Sequence, residues 1–281
     1  GYRNIAIFGV DSRSDDYGVG NRSDCIIIAS INNDTGAIKL ISVYRDTYVN
    51  IEGHGLDKIT HAYSYGEAPL AVKTLNTNLD LNINEFVTVN FDSVAEAVDQ
   101  LGGVQLTITS DEIKYINGYI DETSKVTGKT SEHITEQGTY TVDGVQAVAY
   151  SRIRYTDGGD YKRTERMRTV IEAMFSKLKT KNLNEINSFA DKILPHVYTN
   201  ISATDIISMV PSMSKYKVTE SIGWPYDTKG KTMDRWYGIP ITLESNVIQL
   251  HKEAFGEENY TASDTVKSIS ESIIKKTGYT K

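Results

Sequence analysis

The sequence predicts an α/β fold of three layers, α/β/α, formed as a single domain around a mixed central sheet. Short apolar runs with strand-like composition alternate with amphipathic helical stretches along the whole chain. No internal repeat and no linker interrupts the 281 residues, of which 39% are hydrophobic and 24% charged, as in ordinary globular proteins. A chain of this length can bury a large core without disulfides or structural metals.

The first three predicted elements are strands. Apolar runs at 5–10, 25–31 and 38–43 have the length and composition of buried strands. Residues 32–37 are rich in turn formers and few in number, which predicts a hairpin between the second and third strands.

This hairpin is expected to bring charged residues together at one edge of the sheet. The second strand begins near Arg22 and Asp24, and the third ends near Arg45 and Asp46. In an antiparallel pair the start of one strand lies beside the end of the other, so the two pairs are expected to be neighbours. Asp11 joins them if the loop 11–24 returns to the same edge.

The middle of the chain continues the alternation of helices and strands. Further elements are predicted as a helix at 70–79, a strand at 86–91, a helix from an N-cap at Asp92 to Leu101, a strand at 104–108 and a helix at 143–150. The segment 110–139 is polar with little periodicity, which predicts a hairpin or flap. Residues 151–155 are predicted to be extended with period two, which places Arg152 and Arg154 on the same side.

The clearest helix carries an apolar stripe at helical spacing, formed by Met167, Val170, Ile171, Met174, Phe175 and Leu178. At 100° per residue, Asp160 and Arg163 fall on the same inward face, with Arg166 and Arg168 to either side. Buried charge is costly unless it is paired or used, so this helix start is a candidate site. Later helices are predicted near 184–194, 205–214, 243–255 and 262–276, with a strand at 218–224.

The charge distribution is uneven. The net charge is −7, from 30 basic and 37 acidic residues, which excludes a typical duplex nucleic-acid binder. Five of the ten arginines lie between Arg152 and Arg168, where basic side chains outnumber acidic ones. Charge counting alone favours a solvated basic helix face there, and an anion-binding cleft is the alternative.

Several other classes of site are excluded. Cys25 is the single cysteine, so the chain forms no internal disulfide and no cysteine-based zinc site. The five histidines show no metal-ligand spacing. The sequence has neither a Walker loop nor a G-x-S-x-G elbow, which excludes a P-loop nucleotide enzyme and a serine hydrolase of that type.

The remaining chemistry is that of arginine and aspartate. Guanidinium groups bind phosphate oxygens bidentately and stay charged at any relevant pH. Mg²⁺ takes one or two carboxylates together with phosphate and water. Two acids and several arginines at one sheet edge therefore predict a site for a metal-bridged diphosphate.

At this point the sequence resembles the LytR–CpsA–Psr family of cell-wall glycopolymer phosphotransferases. The matching segments, in order, are Gly9–Arg13, Asn21–Asp24, Arg45–Thr47, Lys58–Gly66, Val98–Val104, Asp143–Ala147, Arg152–Arg154 and Asp160–Arg166. Each segment is short, but eight in the same order make the resemblance specific from about residue 4 to residue 178.

The resemblance implies a membrane-anchored enzyme on the extracytoplasmic face of a Gram-positive cell, whose N-terminal anchor helix is absent from this chain. Such an enzyme takes an anionic glycopolymer, of the wall teichoic acid or capsule type, from a polyprenyl pyrophosphate carrier. It attaches the polymer through a phosphodiester to a peptidoglycan hydroxyl, assisted by Mg²⁺, with Mn²⁺ as the alternative ion. The family's lipid lies in an apolar tunnel between sheet and helices.

The resemblance also implies roles for individual residues. Asp11 and Asp24 match the metal-associated acids. The pyrophosphate-binding cations are Arg22, Arg45, Lys58, Arg152, Arg154, Arg163 and Arg166. Asp160 is the candidate base for the acceptor hydroxyl, and Arg45 and Arg163 are grouped with it as catalytic residues. Judged alone, Asp160 could equally be a helix N-cap, and Asp46 is expected to orient Arg45.

Four positions depart from the family pattern. Tyr44 replaces a proline, Thr60 an asparagine and Glu67 a second glycine, and all three are expected to be tolerated loop variation. Met167 replaces a glutamine near the phosphates. Two alternatives to phosphotransfer stay open. One is a polyprenyl pyrophosphatase, in which water replaces the acceptor, and the other is a non-catalytic regulator that binds the lipid pyrophosphate, which the Met167 departure favours.

Overall fold

A computed structural model describes residues 1–12, 15–154 and 159–281. Its strands and helices alternate along the chain, which confirms the predicted α/β class. The chain forms two compact units. The first unit comprises 1–10, 17–86 and 219–281, and the second comprises 11–16 and 87–218.

The strands are β1 Tyr2–Val10, β2 Ser23–Asn32, β3 Ala37–Val43, β4 Tyr48–Ile51, β5 Gly55–Lys58, β6 Glu85–Val89, β7 Val104–Ile108, β8 Gly138–Val142, β9 Tyr198–Thr199, β10 Lys217–Trp224, β11 Thr228–Thr232 and β12 Trp236–Pro240. The α-helices are α1 Thr60–Leu79, α2 Phe91–Gln100, α3 Ser110–Thr127, α4 Gly144–Arg152, α5 Gly159–Leu178, α6 Leu183–Ile193, α7 Ala203–Met209, α8 Leu243–Phe255 and α9 Asp264–Thr277. Short 3₁₀ turns cover Leu194–His196 and Val210–Lys215. In the part of the chain that the structure describes, no helix combines the length and hydropathy needed to cross a bilayer.

The first unit contains the predicted hairpin. Strands β10, β3, β2, β1 and β6 are neighbours in that order, and β2 pairs antiparallel with both β1 and β3. The turn between β2 and β3 is closed by the Asn32 side chain, which accepts hydrogen bonds from the backbone of Asp34 and Thr35. Gly36 completes the turn at φ 77°, a conformation that favours glycine. This hairpin prediction is confirmed.

Helix α1 begins ten residues earlier than the predicted start at Leu70, because its first turn is fastened to the hairpin strands. The Thr60 backbone N–H donates to the Arg45 carbonyl, and its hydroxyl donates to the Ser23 carbonyl. Gly66 and Glu67 interrupt the helix with non-helical dihedrals, and Glu67 lies at φ 59°. The apolar periodicity is therefore regular only after this kink.

In the second unit, the prediction of a hairpin or flap over 110–139 is wrong for its first half. Residues Ser110–Thr127 form α3, which Thr109 and Glu112 begin with a capping box. Ile116 and Ile120 are fully buried one turn apart, so the helix packs on a core. The remainder of the segment leads into β8, which pairs antiparallel with β7.

The predicted extended segment 151–155 is also wrong at its start, because Arg152 is the last residue of α4. The helix begins at the Asp143 capping box, as the predicted helix over 143–150 required, and ends at Ile153, whose ψ is 126°. Arg152 and Arg154 therefore do not follow the alternation of a strand. Tyr155 lies outside the described residues.

The predicted N-cap of helix α2 is wrong by two residues. Asn90 caps the helix in place of Asp92, and its side chain accepts a hydrogen bond from the Ser93 backbone N–H.

Candidate active site

The predicted meeting of hairpin ends places four charged side chains together in the first unit: Asp24, Arg45, Asp46 and Lys58. Arg45 Nη1 lies 2.8 Å from Asp24 Oδ1, and Arg45 Nε lies 3.7 Å from Asp46 Oδ1. Lys58 Nζ lies 3.2 Å from the same Asp46 oxygen. We refer to these four residues as the first-unit cluster. Arg22, expected beside them, is exposed.

Local hydrogen bonds fix the backbone that carries Arg45 and Asp46. After β3 ends, the chain turns, and Thr47 donates from both its N–H and its hydroxyl to the Tyr44 carbonyl. The Asp46 carbonyl accepts from the Gly238 N–H of β12. This turn directs the two side chains to the end of the sheet where β2 begins.

The first-unit cluster keeps buried polar atoms unsatisfied. Asp24 Oδ1, Asp46 Oδ1 and Arg45 Nε are each buried without a hydrogen-bond partner of good geometry, although they lie in ion-pair range. Buried polar groups are usually hydrogen-bonded, because an unmet group costs about 1–3 kcal/mol. An unmet guanidinium N–H beside unmet carboxylate oxygens is therefore an arrangement suited to a ligand.

Lys58 is held from two sides. Its ammonium contacts Asp46 and also lies over the ring of Tyr237, 5.8 Å from the centroid. Burial raises the pKa of Tyr237, and its hydrogen bond to Asp234 raises it further. The Tyr237 phenol therefore stays neutral. Its ring and the Asp46 carboxylate together hold the Lys58 ammonium group in place.

Sequence reasoning missed a hydrogen-bonded group beside Lys58. Asp57 accepts hydrogen bonds from the Tyr65 hydroxyl (2.6 Å), from the Lys58 backbone and from the His61 ring, whose Nδ1 lies at 2.9 Å. Burial raises the pKa of Asp57, but these hydrogen bonds outweigh it and hold the pKa below the usual value. The spacing of His61 and Tyr65 by four residues could have placed these two side chains together on α1, but Asp57 lies on β5, where no helical spacing applies.

In the second unit, Arg152 is held against aromatic rings. Its guanidinium lies 4.6 Å from the Phe91 ring centroid and 5.8 Å from that of Tyr119. It donates to the Thr123 hydroxyl at 2.9 Å and lies 3.4 Å from Glu122. Arg154, two residues on, is exposed. Both remain candidate phosphate ligands, although they are not arranged as strand neighbours.

The start of α5 confirms that Arg163 faces inward. Its side chain is 6% exposed and its Nη2 lies 2.9 Å from Asp160 Oδ1, whereas the Asp160 side chain is 40% exposed. The prediction that Asp160 lies on the same inward face is wrong, because Asp160 is one turn closer to the helix start and its carboxylate remains accessible beside the buried arginine. This is an accessible carboxylate with a fixed positive neighbour, which is compatible with its predicted role.

Arg166 has a different environment from the one expected of a pyrophosphate ligand. It is 2% exposed, and its Nε donates to Glu112 Oε2 at 2.6 Å while Nη1 donates to the Ile153 carbonyl at 3.0 Å. Glu112 is itself buried and caps α3. The structure thus gives Arg166 internal partners that join α3 to α5, in place of the expected phosphate.

The two predicted metal ligands lie in different units. Asp24 belongs to the first-unit cluster, and Asp11 is exposed in the second unit, where the next residue, Ser12, accepts from the Asn90 side chain. Within residues 1–12, 15–154 and 159–281, no three His, Cys, Asp or Glu side chains are grouped to hold a metal. The buried unmet oxygen of Asp24 is nevertheless the type of donor that Mg²⁺ prefers.

The comparisons with known proteins agree with this chemistry. The LytR_cpsA_psr family model matches residues 1–240. The polyisoprenyl-teichoic acid–peptidoglycan teichoic acid transferase TagT of Bacillus subtilis (strain 168) is 33% identical over 233 residues, which cover 80% of this chain and 69% of that protein.

Solved structures are similar over almost the entire chain. TagT bound to LIIa-WTA has a TM-score of 0.68 and 26% identity, covering 99% of this chain and 91% of that one. The family protein YwtF (TagT) with bound octaprenyl pyrophosphate lipid has a TM-score of 0.63 and 25% identity, with 99% and 90% covered. The likeness confirms a mixed α/β fold with a mixed central sheet.

Proposed function

Since the chain belongs to the LytR_cpsA_psr family, we propose that it transfers an anionic glycopolymer from a polyprenyl pyrophosphate carrier to a peptidoglycan hydroxyl. The name of its relative TagT describes a transfer from a polyisoprenyl carrier to peptidoglycan. The similar structure of YwtF (TagT) holds octaprenyl pyrophosphate. On this proposal the protein acts at the extracytoplasmic face of a Gram-positive cell, held there by an N-terminal membrane anchor.

The observation that carries the proposal is the state of the first-unit cluster. Arg45 is held between two carboxylates, yet its Nε and one oxygen of each acid have no hydrogen-bond partner of good geometry. A pyrophosphate oxygen would satisfy the guanidinium, and a cation would satisfy the carboxylates. In an ion pair that serves only the fold, these atoms would be expected to form hydrogen bonds with other groups of the protein.

The reaction requires an acceptor oxygen to attack the phosphorus that bears the polymer. A P–O bond forms to the peptidoglycan hydroxyl, the P–O bond of the pyrophosphate bridge breaks, and polyprenyl phosphate leaves. Charge builds on the phosphoryl and leaving oxygens, where fixed cations stabilise it. In the first unit we assign this role to Arg45 and Lys58. Arg22 of the same unit and Arg152, Arg154 and Arg163 of the second unit stay predicted phosphate ligands.

The proton of the acceptor hydroxyl needs a base. Asp160 is the proposed base because its carboxylate is accessible and oriented by the buried Arg163. The positive charge of Arg163 beside Asp160 stabilises the carboxylate form that accepts the proton.

Mg²⁺ would be held by Asp24 in the first-unit cluster, with Mn²⁺ as an alternative ion, and Asp11 of the second unit stays a predicted metal ligand. When bound, the ion would neutralise part of the negative charge of the pyrophosphate. Asp46 is the additional carboxylate that lies in the same cluster.

The test is a reconstituted reaction with lipid-linked polymer, Mg²⁺ and peptidoglycan, analysed by gel mobility of the glycan. Polymer coupled to peptidoglycan supports transfer. Free polymer phosphate without coupling would instead identify a pyrophosphatase. Tight lipid binding without turnover would identify the non-catalytic regulator, which the Met167 departure had left open.

A further inference from the structure

A groove in the second unit lies between strand β7 and helix α5. It encloses about 670 Å³, within the range of ligand pockets. None of the proposed phosphate ligands lines it apart from Arg166, whose partners are internal. The groove therefore has no role in the chemistry described above.

One wall of the groove is the edge of β7. Gln105, Leu106 and Thr107 are consecutive, and all three line the groove. Successive strand side chains point to opposite faces, so three in a row mean that the groove follows the strand's backbone edge. Strand β7 forms a two-stranded sheet with β8, and no further described strand pairs with it.

The opposite wall is one face of α5. Four residues of α5 line the groove at helical spacing and form one continuous stripe: Lys162, Glu165, Arg166 and Thr169. A groove between an unpaired strand edge and a helix is the shape in which folded domains add an extended peptide as a further strand.

The base of the groove is rigid and polar. The buried Glu112–Arg166 pair forms part of it, together with Tyr150. Burial raises the pKa of Tyr150 to about 12, and the nearby Glu112 contributes. The phenol therefore stays protonated and is a neutral group on the groove wall.

The rim carries accessible negative charge. Asp111 and Glu165 are exposed, and their lysine partners lie at 3.8 Å and 3.2 Å, in ion pairs of the weak surface type. Three acidic and two basic side chains line the groove. Because Glu112 and Arg166 neutralise each other, Asp111 and Glu165 face a ligand against a single lysine, Lys162. This excess of negative charge favours a ligand with a free amino group.

We propose that the β7–α5 groove binds a short extended peptide bearing a free amino group, by main-chain hydrogen bonds to β7 and by contacts of the amine with Asp111 and Glu165. This identification rests on the proposed function, from which the peptide is the stem peptide of the peptidoglycan acceptor. The groove would thus select acceptor strands that still carry amino-bearing peptides.

The test is fluorescence anisotropy with a labelled lysine-containing stem peptide, in the absence of any lipid donor. Wild-type protein is expected to bind it, and the Asp111→Asn/Glu165→Gln variant is expected to bind about tenfold more weakly, because it loses two charged contacts. Glu132→Gln/Asp191→Asn removes two exposed acids of the same unit outside the groove, and it should bind like wild type. Acetylating the peptide's lysine should weaken binding to wild type about as much as the groove variant does.

The proposal is overturned if the stem peptide does not bind, or if the groove variant and the matched control bind it equally. Thermal unfolding of both variants verifies that they are folded. If the protein binds the peptide but transfers no polymer, the proposed function is contradicted and the peptide-binding role of the groove is supported. If the protein transfers polymer but does not bind the peptide, the proposed function is supported and the peptide-binding role of the groove is rejected.

Discussion

Arg45 and Arg166 both belong to family motifs, and both lie beside carboxylates. They differ in whether those carboxylates have all their hydrogen-bond partners within the protein. Arg166 is 2% exposed, and its Glu112 partner uses one oxygen for the ion pair and the other to cap a helix. Arg45 is 18% exposed, and each of its two acid partners keeps a buried oxygen that has no hydrogen-bond partner of good geometry. A satisfied pair serves the fold, whereas an unsatisfied one is available to a ligand.

The two arginines are therefore expected to respond in opposite ways to removal. Loss of Arg166 should damage stability, and loss of Arg45 should damage the reaction. The largest effect is expected where a buried charge is left without its partner.

Arg166→Ala leaves Glu112 as an unpaired charge in the interior. We expect the free energy of unfolding to fall by about 3–5 kcal/mol, measured by urea denaturation. The double variant Arg166→Met/Glu112→Met removes both charges and should recover part of the loss. If Arg166→Ala unfolds at the wild-type urea concentration, the ion pair does not join α3 to α5 as described.

Arg45→Ala should lower kcat/KM for the lipid-linked donor by about 10²–10³-fold, because a cation fixed at the developing charge is lost. The urea midpoint should fall less than in Arg166→Ala, since the side chains of Asp24 and Asp46 are 23% and 25% exposed and water can reach them, whereas Glu112 is buried. Arg3→Ala is the matched control, because Arg3 forms a similarly close ion pair, with Glu85, in the same unit. Wild-type turnover in Arg45→Ala would remove Arg45 from the reaction.

Asp24→Asn keeps the shape of the side chain and removes a charge from the proposed Mg²⁺ ligand. The Mg²⁺ concentration that gives half-maximal activity is expected to rise by about tenfold. Asp46→Asn provides the comparison, because Asp46 also contacts Lys58. An Mg²⁺ titration that is unchanged in Asp24→Asn would exclude this carboxylate as a ligand.

Glu67→Gly tests strain at the α1 kink. Glu67 lies at φ 59° and ψ −160°, a region that glycine adopts readily and other residues adopt at a cost. We expect Glu67→Gly to raise the free energy of unfolding by about 1 kcal/mol. Glu67→Ala keeps a Cβ and should therefore give no such gain. If both variants raised the free energy of unfolding equally, the destabilisation would come from the Glu67 side chain and not from its backbone conformation.

Asp57→Asn gives the smallest expected effect, a change in how stability depends on pH. The Asp57 pKa is below its ordinary value of 3.8 in the folded protein, so its stabilisation is fully present above that value and is lost as pH falls through the folded pKa. The stability difference between wild type and Asp57→Asn should therefore be constant near neutral pH and shrink in acid. Urea midpoints measured from about pH 7 to about pH 3 verify this, and a difference that grows in acid would contradict it.

The first-unit cluster was predictable from sequence because it depends on local signals. The turn formers at 32–37 and two apolar runs specify a hairpin, and the hairpin register alone brings Asp24 near Arg45. The apolar spacing of α5 likewise predicted the inward position of Arg163, although it wrongly placed Asp160 on the same face. In each case a short-range pattern determined the geometry.

The errors arose where a partner is distant in the chain or a pattern is diluted. Glu112 lies 54 residues before Arg166, so no local pattern marked that arginine as structural. Helix α3 was missed because Gly118 and polar residues dilute its apolar spacing, although its Thr109–Glu112 capping box was readable. The helical state of Arg152 depends on α4 packing against α3 and α5, which sequence spacing does not encode.

The proposed reaction joins a glycopolymer to peptidoglycan through a phosphodiester. ³¹P NMR of the reaction between lipid-linked donor and peptidoglycan tests it most directly. Wild-type protein is expected to replace the pyrophosphate signals with one phosphodiester on the glycan and one monoester on the lipid. Arg45→Ala is expected to leave the pyrophosphate signals in place over the same time. Two monoesters, or pyrophosphate signals that persist with wild-type protein, would contradict it.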